Sequence, residues 1–543
     1  MRHFPWAILG CAGLLLAAAA APDPFRKKLD AERRVEHALN RVAFGARPGD
    51  TERVKKMGID NWIAGQLAPR QVDENPIVAD RLKALATLDL SIQQIAEQYP
   101  LRADKKPKKD GDGKATLRDV LSAEEIRTLR QGTPEEKLAF LEALPKDKRQ
   151  AVLETLPQQV RRGMMGLGSA ELRREIVALG QPVAIVGLDL VEAKLYRALY
   201  SNRQLEEVLV DFWFNHFNVY MNKGPERLFL TDYEREAIRP HVLGNFHDML
   251  LATAKHPAML YYLDNWQSVD PSALEQMAKK RRGGQQMKQL TKRARGLNEN
   301  YARELMELHT MGVDGGYTQK DVVEVARAFT GWTLRDPRGG AAYYFAPMLH
   351  DKREKTVLGK KLAAGRGEED GLDVLRLLAR HPATAKFISM KLAQRFVADV
   401  PPPALVERMA ATFRKTDGNL REVMRTMLTS TEFFSEGAWR AKLKSPFEMV
   451  VSAARALDAD VTNALPLAKS IEELGQPLYR KEEPTGYYNT AEEWTNTAGL
   501  LGRMNFATSL VSNQFQGAKV AASHARMGLA LGGPEFQRRQ GRC

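Results

Sequence analysis

GLNENYARELMELHTMGVDGGYTQKDVVEVARAFTGW, residues 296–332, is the stretch whose reading decides the fold. At about 100° per residue, Glu299, Arg303, Glu307, Asn300 and Glu304 fall within roughly 140° of one another, with Tyr301, Leu305 and Leu308 opposite. That pattern predicts an amphipathic helix over 298–311. Two readings of its polar face stay open. One is a solvated surface whose i,i+4 pairs, Glu299/Arg303 and Arg303/Glu307, each contribute only a few tenths of a kcal/mol. The other is a buried carboxylate and guanidinium cluster turned toward a cleft. If the helix stays regular, His309 falls off the glutamate face, close to Asn298. Gly312, Gly315 and Gly316 end the helix by admitting positive φ, and Thr318 with Asp321 reads as a capping box that starts the next one.

Outward from this stretch lie FWFNHFNVY at 212–220, IRPHVLGNFHDMLLATAKHPAMLYYLDN at 238–265, HDKREKTVLG at 350–359 and ARHPATAKFISMKLAQRFVAD at 379–399. Further downstream come DGNLREVMRTMLTSTEFF, KLKSPFEMVV and LGQPLY. With the central motif, these segments resemble the bacterial family called domain of unknown function 1800, uncharacterised exported proteins, over nearly the whole mature chain. The resemblance implies no established activity. It does imply a partner, because genes for sulfatase-like proteins commonly neighbour genes of this family. One departure is Phe214, where the family pattern often carries histidine.

A chain of 543 residues, 44% hydrophobic and 27% charged, can bury a large core and can hold more than one domain. Arg2 and His3 precede an apolar run over 6–21 that ends in small residues before Pro22, which predicts a signal peptide over 1–21. The run is too short for a convincing membrane span. Cys11 sits in a lipoprotein-like box, but the apolar run continues to Leu16, which favours cleavage near Ala21. No Arg-Arg pair precedes the run, which favours general secretion over the twin-arginine route. The expected location is therefore outside the cytoplasm: periplasmic, secreted or on the outer surface. Cys543 is then the only cysteine left, so stability rests on the core and not on an intrachain disulfide.

The net charge of +14 is uneven. Lys279, Lys280, Arg281, Arg282, Lys288, Lys292, Arg293 and Arg295 have no acidic residue between them, which predicts a flexible basic loop within 268–297. Such a loop can touch acidic polymer or anionic headgroups. It has no stacking aromatics, so nucleic acid is not among the expected partners.

The fold class predicted is all-α: one large multi-helix domain over 22–71 and 181–512, a charged helical insertion over 72–180, and a loose tail over 513–543. A helix is expected over 51–67, and others over 188–200, 205–219 and 234–250. Within the insertion, KDGDGKATLRD resembles the middle of a calcium loop, with Asp119 at its last position, but Lys108 opposes a cation at the first. AKHPA at 254–258 recurs as ARHPA at 379–383, each a helix junction with proline in the first turn, which makes both histidines cap or core residues. The one stretch without helical spacing is 333–359, where 342–345 and 356–358 are expected to pair as a small hairpin around His350 and Asp351.

No complete catalytic signature is present: no H-E-x-x-H, no P-loop, no G-x-S-x-G. The chemically capable candidates are Asn215, His216, Glu299, Arg303, Glu304 and Glu307, with His309, His350 and Asp351 as candidate metal ligands. Two functions follow from them. The first is an exported binding or scaffolding protein with a polar cleft built around helix 298–311. The second is an envelope hydrolase using metal-assisted or acid/base chemistry on a polymer. Convergence of the glutamates with His216 in a hollow favours the second, and dispersal favours the first.

Overall fold

A computed structural model describes residues 23–101, 116–165, 168–279, 296–495, 497–521 and 528–538. The segment over 1–21 expected to be a signal peptide, most of the calcium-like loop and the basic run from Lys280 to Arg295 lie outside the described residues. The fold is all-α, and among the described residues the strands form three antiparallel two-stranded sheets. No described helix is long and apolar enough to cross a membrane.

The organising helix is not regular. It runs as α-helix over Asn300–Glu304 and then widens into a π-helix over Leu305–Thr310. Met311 N–H donates to the Met306 carbonyl at 2.9 Å, and the Thr310 hydroxyl to the Leu305 carbonyl at 2.6 Å, both reaching back five residues. A five-residue closure fits one more residue into the turn, so directions computed at 3.6 per turn fail after Leu305. His309 is buried, together with Leu305, Met306 and Thr310. The chain turns at Gly312 and Gly316, and Thr318 and Asp321 form the expected capping box of Gln319–Ala328.

Other local expectations divide. The two HPA junctions behave alike: His256 and His381 each accept the backbone N–H two residues on through Nδ1, at 3.1 and 3.2 Å, and cap helices that begin with proline. The helix expected over 51–67 breaks at Gly58, whose φ of 84° interrupts Asp50–Met57 and Ile59–Leu67. The helix expected over 234–250 is likewise interrupted, with a π segment at Tyr233–Ile238 and the next α-helix only at Phe246–Lys255. Asp119 serves the start of the next helix instead. Its carboxylate accepts from Thr116 N–H at 2.6 Å and caps Leu117–Val120.

The 333–359 region also differs from expectation. Ala342–Phe345 pairs with Trp332–Arg335, and Lys355–Val357 pairs with Lys360–Leu362, so two hairpins replace the predicted one. A single apolar core runs from Val35 to Phe536, and a second, smaller core gathers Leu121, Leu141, Val152, Leu153, Leu172 and Ile176. The segment expected as one insertion over 72–180 therefore splits, because Val78, Leu85, Ile92 and Ile95 pack into the main core. Arg173 and Arg174 join the two bodies: Arg174 reaches Asp189 at 2.6 Å and Glu192 at 2.9 Å, and Arg173 reaches Glu192 at 3.0 Å. The tail is not loose where it is described. Leu531 and Phe536 are buried, Lys444 N–H donates to the Gln537 carbonyl at 2.8 Å, and Arg503 donates to the Gln537 side chain at 2.8 Å.

Candidate functional site

The sequence candidates do not gather in one site: Glu299 meets Arg303, and His216 meets His309 with ring centroids 6.2 Å apart, but the two pairs stay separate. Glu299 and Arg303 face outward, 41% and 38% exposed at the Arg303 and Glu299 side chains, 3.4 Å apart and both bonded to Gln319. Glu304 is half-buried, and burial, reinforced by Glu307, holds its carboxyl above the usual carboxylate range. His216 lies in the core among Trp213, Phe217 and Phe387. Its Nε2 lies 3.1 Å from the His309 carbonyl, which can only accept, so that nitrogen carries a proton and Nδ1 has no partner. Burial pulls His216 well down and His309 down to about 3, and neither ring bonds to a glutamate among the described residues.

His350 and Asp351 are likewise committed elsewhere. His350 Nδ1 donates to the Thr330 carbonyl at 2.8 Å, and its Nε2 lies 3.3 Å from Asp370. Burial pushes the Asp351 carboxyl up, but hydrogen bonds from Arg353 and Arg327 outweigh it and hold the group below the carboxylate range. A carboxylate held by two guanidiniums is a poor metal ligand. Among the described residues no three His, Cys, Asp or Glu side chains gather where they can hold a metal ion. The candidate ligands His309, His350 and Asp351 thus belong to two separate buried structural sites.

The cleft opens elsewhere, beside the helix Gln204–His216, and holds about 700 Å³ of space with open solvent included. It is built from both sides of that helix's end. Asn215 clamps one rim: its amide donates to the Tyr487 carbonyl at 2.8 Å and accepts Tyr487 N–H at 2.7 Å. Gly486 makes that approach possible, since a Cβ there would lie 2.3 Å from the Asn215 carbonyl and its φ is +66°. One turn earlier, Asp211 pairs with Lys194 at 2.6 Å. The Lys194 ammonium also lies over the rings of Phe447 and Tyr479, at 5.2 and 5.0 Å.

Tyr479 is held at φ +60°, an unfavourable setting for an aromatic residue, and its hydroxyl donates to Glu234 at 2.6 Å. Burial pushes Glu234 up, but Arg239, Lys194 and Arg197 outweigh it and keep it an anion. The floor comes from Ser445 and Glu448. Ser445 caps Pro446–Ala456 with Glu448 as the reciprocal acid, and the second oxygen of Glu448 pairs with Arg395. Beside it, Lys442 ties Asp399 to the Asn489 carbonyl, and Asp399 accepts Ala491 N–H at 2.8 Å, which fastens the loop carrying Tyr487, Tyr488 and Trp494. Tyr487 and Trp494 pack at 5.6 Å, and Tyr488 is 60% exposed at the mouth.

Of the candidates named from sequence, only Asn215 lines this cleft. Lys194, Arg395, Glu448, Tyr479 and Tyr488 carried no local signal. Glu448, Tyr479 and Arg395 belong to KLKSPFEMVV, LGQPLY and ARHPATAKFISMKLAQRFVAD, whereas Lys194 and Tyr488 lie in none of the quoted segments.

Fold and cleft together define the class: a multi-helix all-α protein with a polar, aromatic-rimmed groove. The chain belongs to the family described as "Protein of unknown function (DUF1800)", which matches residues 37–540, nearly its whole length. No curated protein and no solved structure matches it.

Proposed function

We propose that this is an exported cell-envelope protein that works by binding, gripping a segment of extracellular or envelope polymer in the cleft beside Gln204–His216. The observation that carries the reading is the exposed Tyr488 ring at the mouth of a polar groove whose walls are tied in place. Rigid aromatic platforms over fixed polar groups suit recognition. The dispersal of His216 from the glutamates supports binding over catalysis, because acid/base chemistry needs its groups within reach of one another. A sulfatase-like protein remains the partner proposed from the family resemblance.

The test is retention of the purified chain on insoluble envelope polymer, wild type against Tyr488→Ala. Retention lost in the variant supports the reading, and equal retention sinks it. Export is tested separately by fusing residues 1–21 to a phosphatase that is active only outside the cytoplasm; an inactive fusion refutes it. A second reading, acid/base hydrolysis, is favoured by one observation: the raised carboxyl of Glu304 beside Glu307. It predicts release of reducing ends from polymer, abolished by Glu304→Gln.

A further inference from the structure

A second hollow lies at the other end of Gln204–His216, where that helix meets Ala31–Arg41, Asp50–Met57 and Ala184–Tyr200. It holds about 320 Å³ with open solvent included, at the small end of the range of about 300–1,000 Å³ usual for ligand sites. Space of that size suits one small ion or headgroup.

The charged groups of its lining are three guanidiniums, Arg47, Arg53 and Arg455, and one carboxylate, Asp50. Arg53 pairs with Asp50 at 2.8 Å and Arg455 pairs with it at 3.4 Å. Asp50 also accepts Arg47 N–H at 2.9 Å, so both of its oxygens are taken. The Arg47 side chain closes no ion pair among the described residues. Its guanidinium lies 4.7 Å over the Tyr200 ring, and its Nε is buried without a partner. Asp458 reaches Arg47 and Arg455 only from beyond ion-pair range.

The neutral groups of the lining are already spent. Gln66 donates to the Asn202 carbonyl and accepts Leu205 N–H, each at 3.0 Å. Gln204 accepts Phe44 N–H at 3.0 Å and donates to the Ser201 carbonyl at 2.8 Å. The Asn202 amide donates to the Asp73 carbonyl at 3.0 Å, and the Ser201 hydroxyl to Glu74 at 2.8 Å. Arg455 turns Nε and Nη1 to the Gly45 and Leu199 carbonyls, at 2.9 and 2.6 Å. What stays unfilled is donor capacity on cations: the fork of Arg47 and the nitrogens of Arg53 that do not face Asp50. Forked, charged donors arriving from two elements, the loop 42–49 and the first turn of Asp50–Met57, match an anion with acceptor oxygens in more than one plane.

We propose that this hollow binds a small oxyanion of the phosphate class, free or as a headgroup, between the forks of Arg47 and Arg53. The site is apart from the cleft and independent of the polymer reading. Calorimetry of the full chain with inorganic phosphate, glycerol phosphate and acetate at fixed ionic strength tests it. Phosphate is expected to bind at millimolar concentration or below, and Arg47→Gln and Arg53→Gln each to weaken it roughly tenfold or more. The Arg53 side chain is 52% exposed, so that variant folds. Phosphatidylglycerol vesicles separate the two sources: competition with phosphate assigns the site to a headgroup, and its absence assigns it to the free ion.

Acetate binding as tightly as phosphate overturns the oxyanion class. An affinity unchanged in either folded variant overturns the placement between Arg47 and Arg53. Failure of both phosphate and glycerol phosphate to bind at millimolar concentration overturns the proposal.

Discussion

Glu448 shows how much one side chain can hold. One oxygen accepts Ser445 N–H at 2.9 Å and closes a capping box, and the other pairs with Arg395 beneath the groove. Glu448→Gln keeps the shape and removes the charge, leaving buried guanidiniums with less compensation. The expected cost is about 3–5 kcal/mol by urea unfolding. The His216–His309 pair makes a pH prediction. His309 has a folded value of about 3 against an ordinary 6.5, so between those values the unfolded chain binds the proton more readily. Stability is then full above about pH 6.5 and is lost as pH falls, at up to about 1.4 kcal/mol per pH unit for that histidine, with His216 adding in the same direction. Urea midpoints measured between pH 7 and pH 4 are expected to fall, and His309→Gln is expected to flatten the slope. Thr318, His256 and His381 were legible in the sequence because a cap is decided within three residues. The π turn at Leu305–Thr310 was not, because no residue type announces one.

At the scale of elements, the junction between the two apolar cores is the exposed point. Arg174 alone bridges Asp189 and Glu192, and Asp189 also takes the hydroxyl and N–H of Thr87 at 2.9 and 3.2 Å. Arg174→Met leaves Asp189 without its guanidinium and Glu192 with Arg173 alone, and is expected to cost about 3 kcal/mol. Hydrogen exchange is expected to quicken over 117–179 first, while the peptides of the main core keep their protection. The helices were readable because their apolar spacing is local. The hairpins were only half-readable: Ala342–Phe345 was recognisable as a strand, but its partner Trp332–Arg335 begins on the last residue of the central motif, and pairing is not encoded in either strand alone.

For the molecule as a whole, the groove was illegible for a related reason. Its walls come from residues near 194, 211–218, 395, 443–448 and 476–494, which spacing within any one segment cannot bring together. The described ends of the chain also close on this region. Leu29 N–H donates to the Phe434 carbonyl at 2.9 Å, and Leu443 bridges Arg538. Removing residues from Pro534 onward takes away Phe536 under Lys444 and the Gln537 bonds to Lys444 and Arg503. That truncation is expected to lower the melting temperature by several degrees and to speed hydrogen exchange at 442–448.

The Gln537 bonds also set an order of events. A ribosome delivers the amino end first, so the strut under the groove emerges several hundred residues after the first helices. Until it arrives, Arg503 and Lys444 wait without their final contacts. Completion of the groove therefore waits on synthesis beyond Gln537, and a nascent chain stalled upstream of Pro534 carries an unfinished floor.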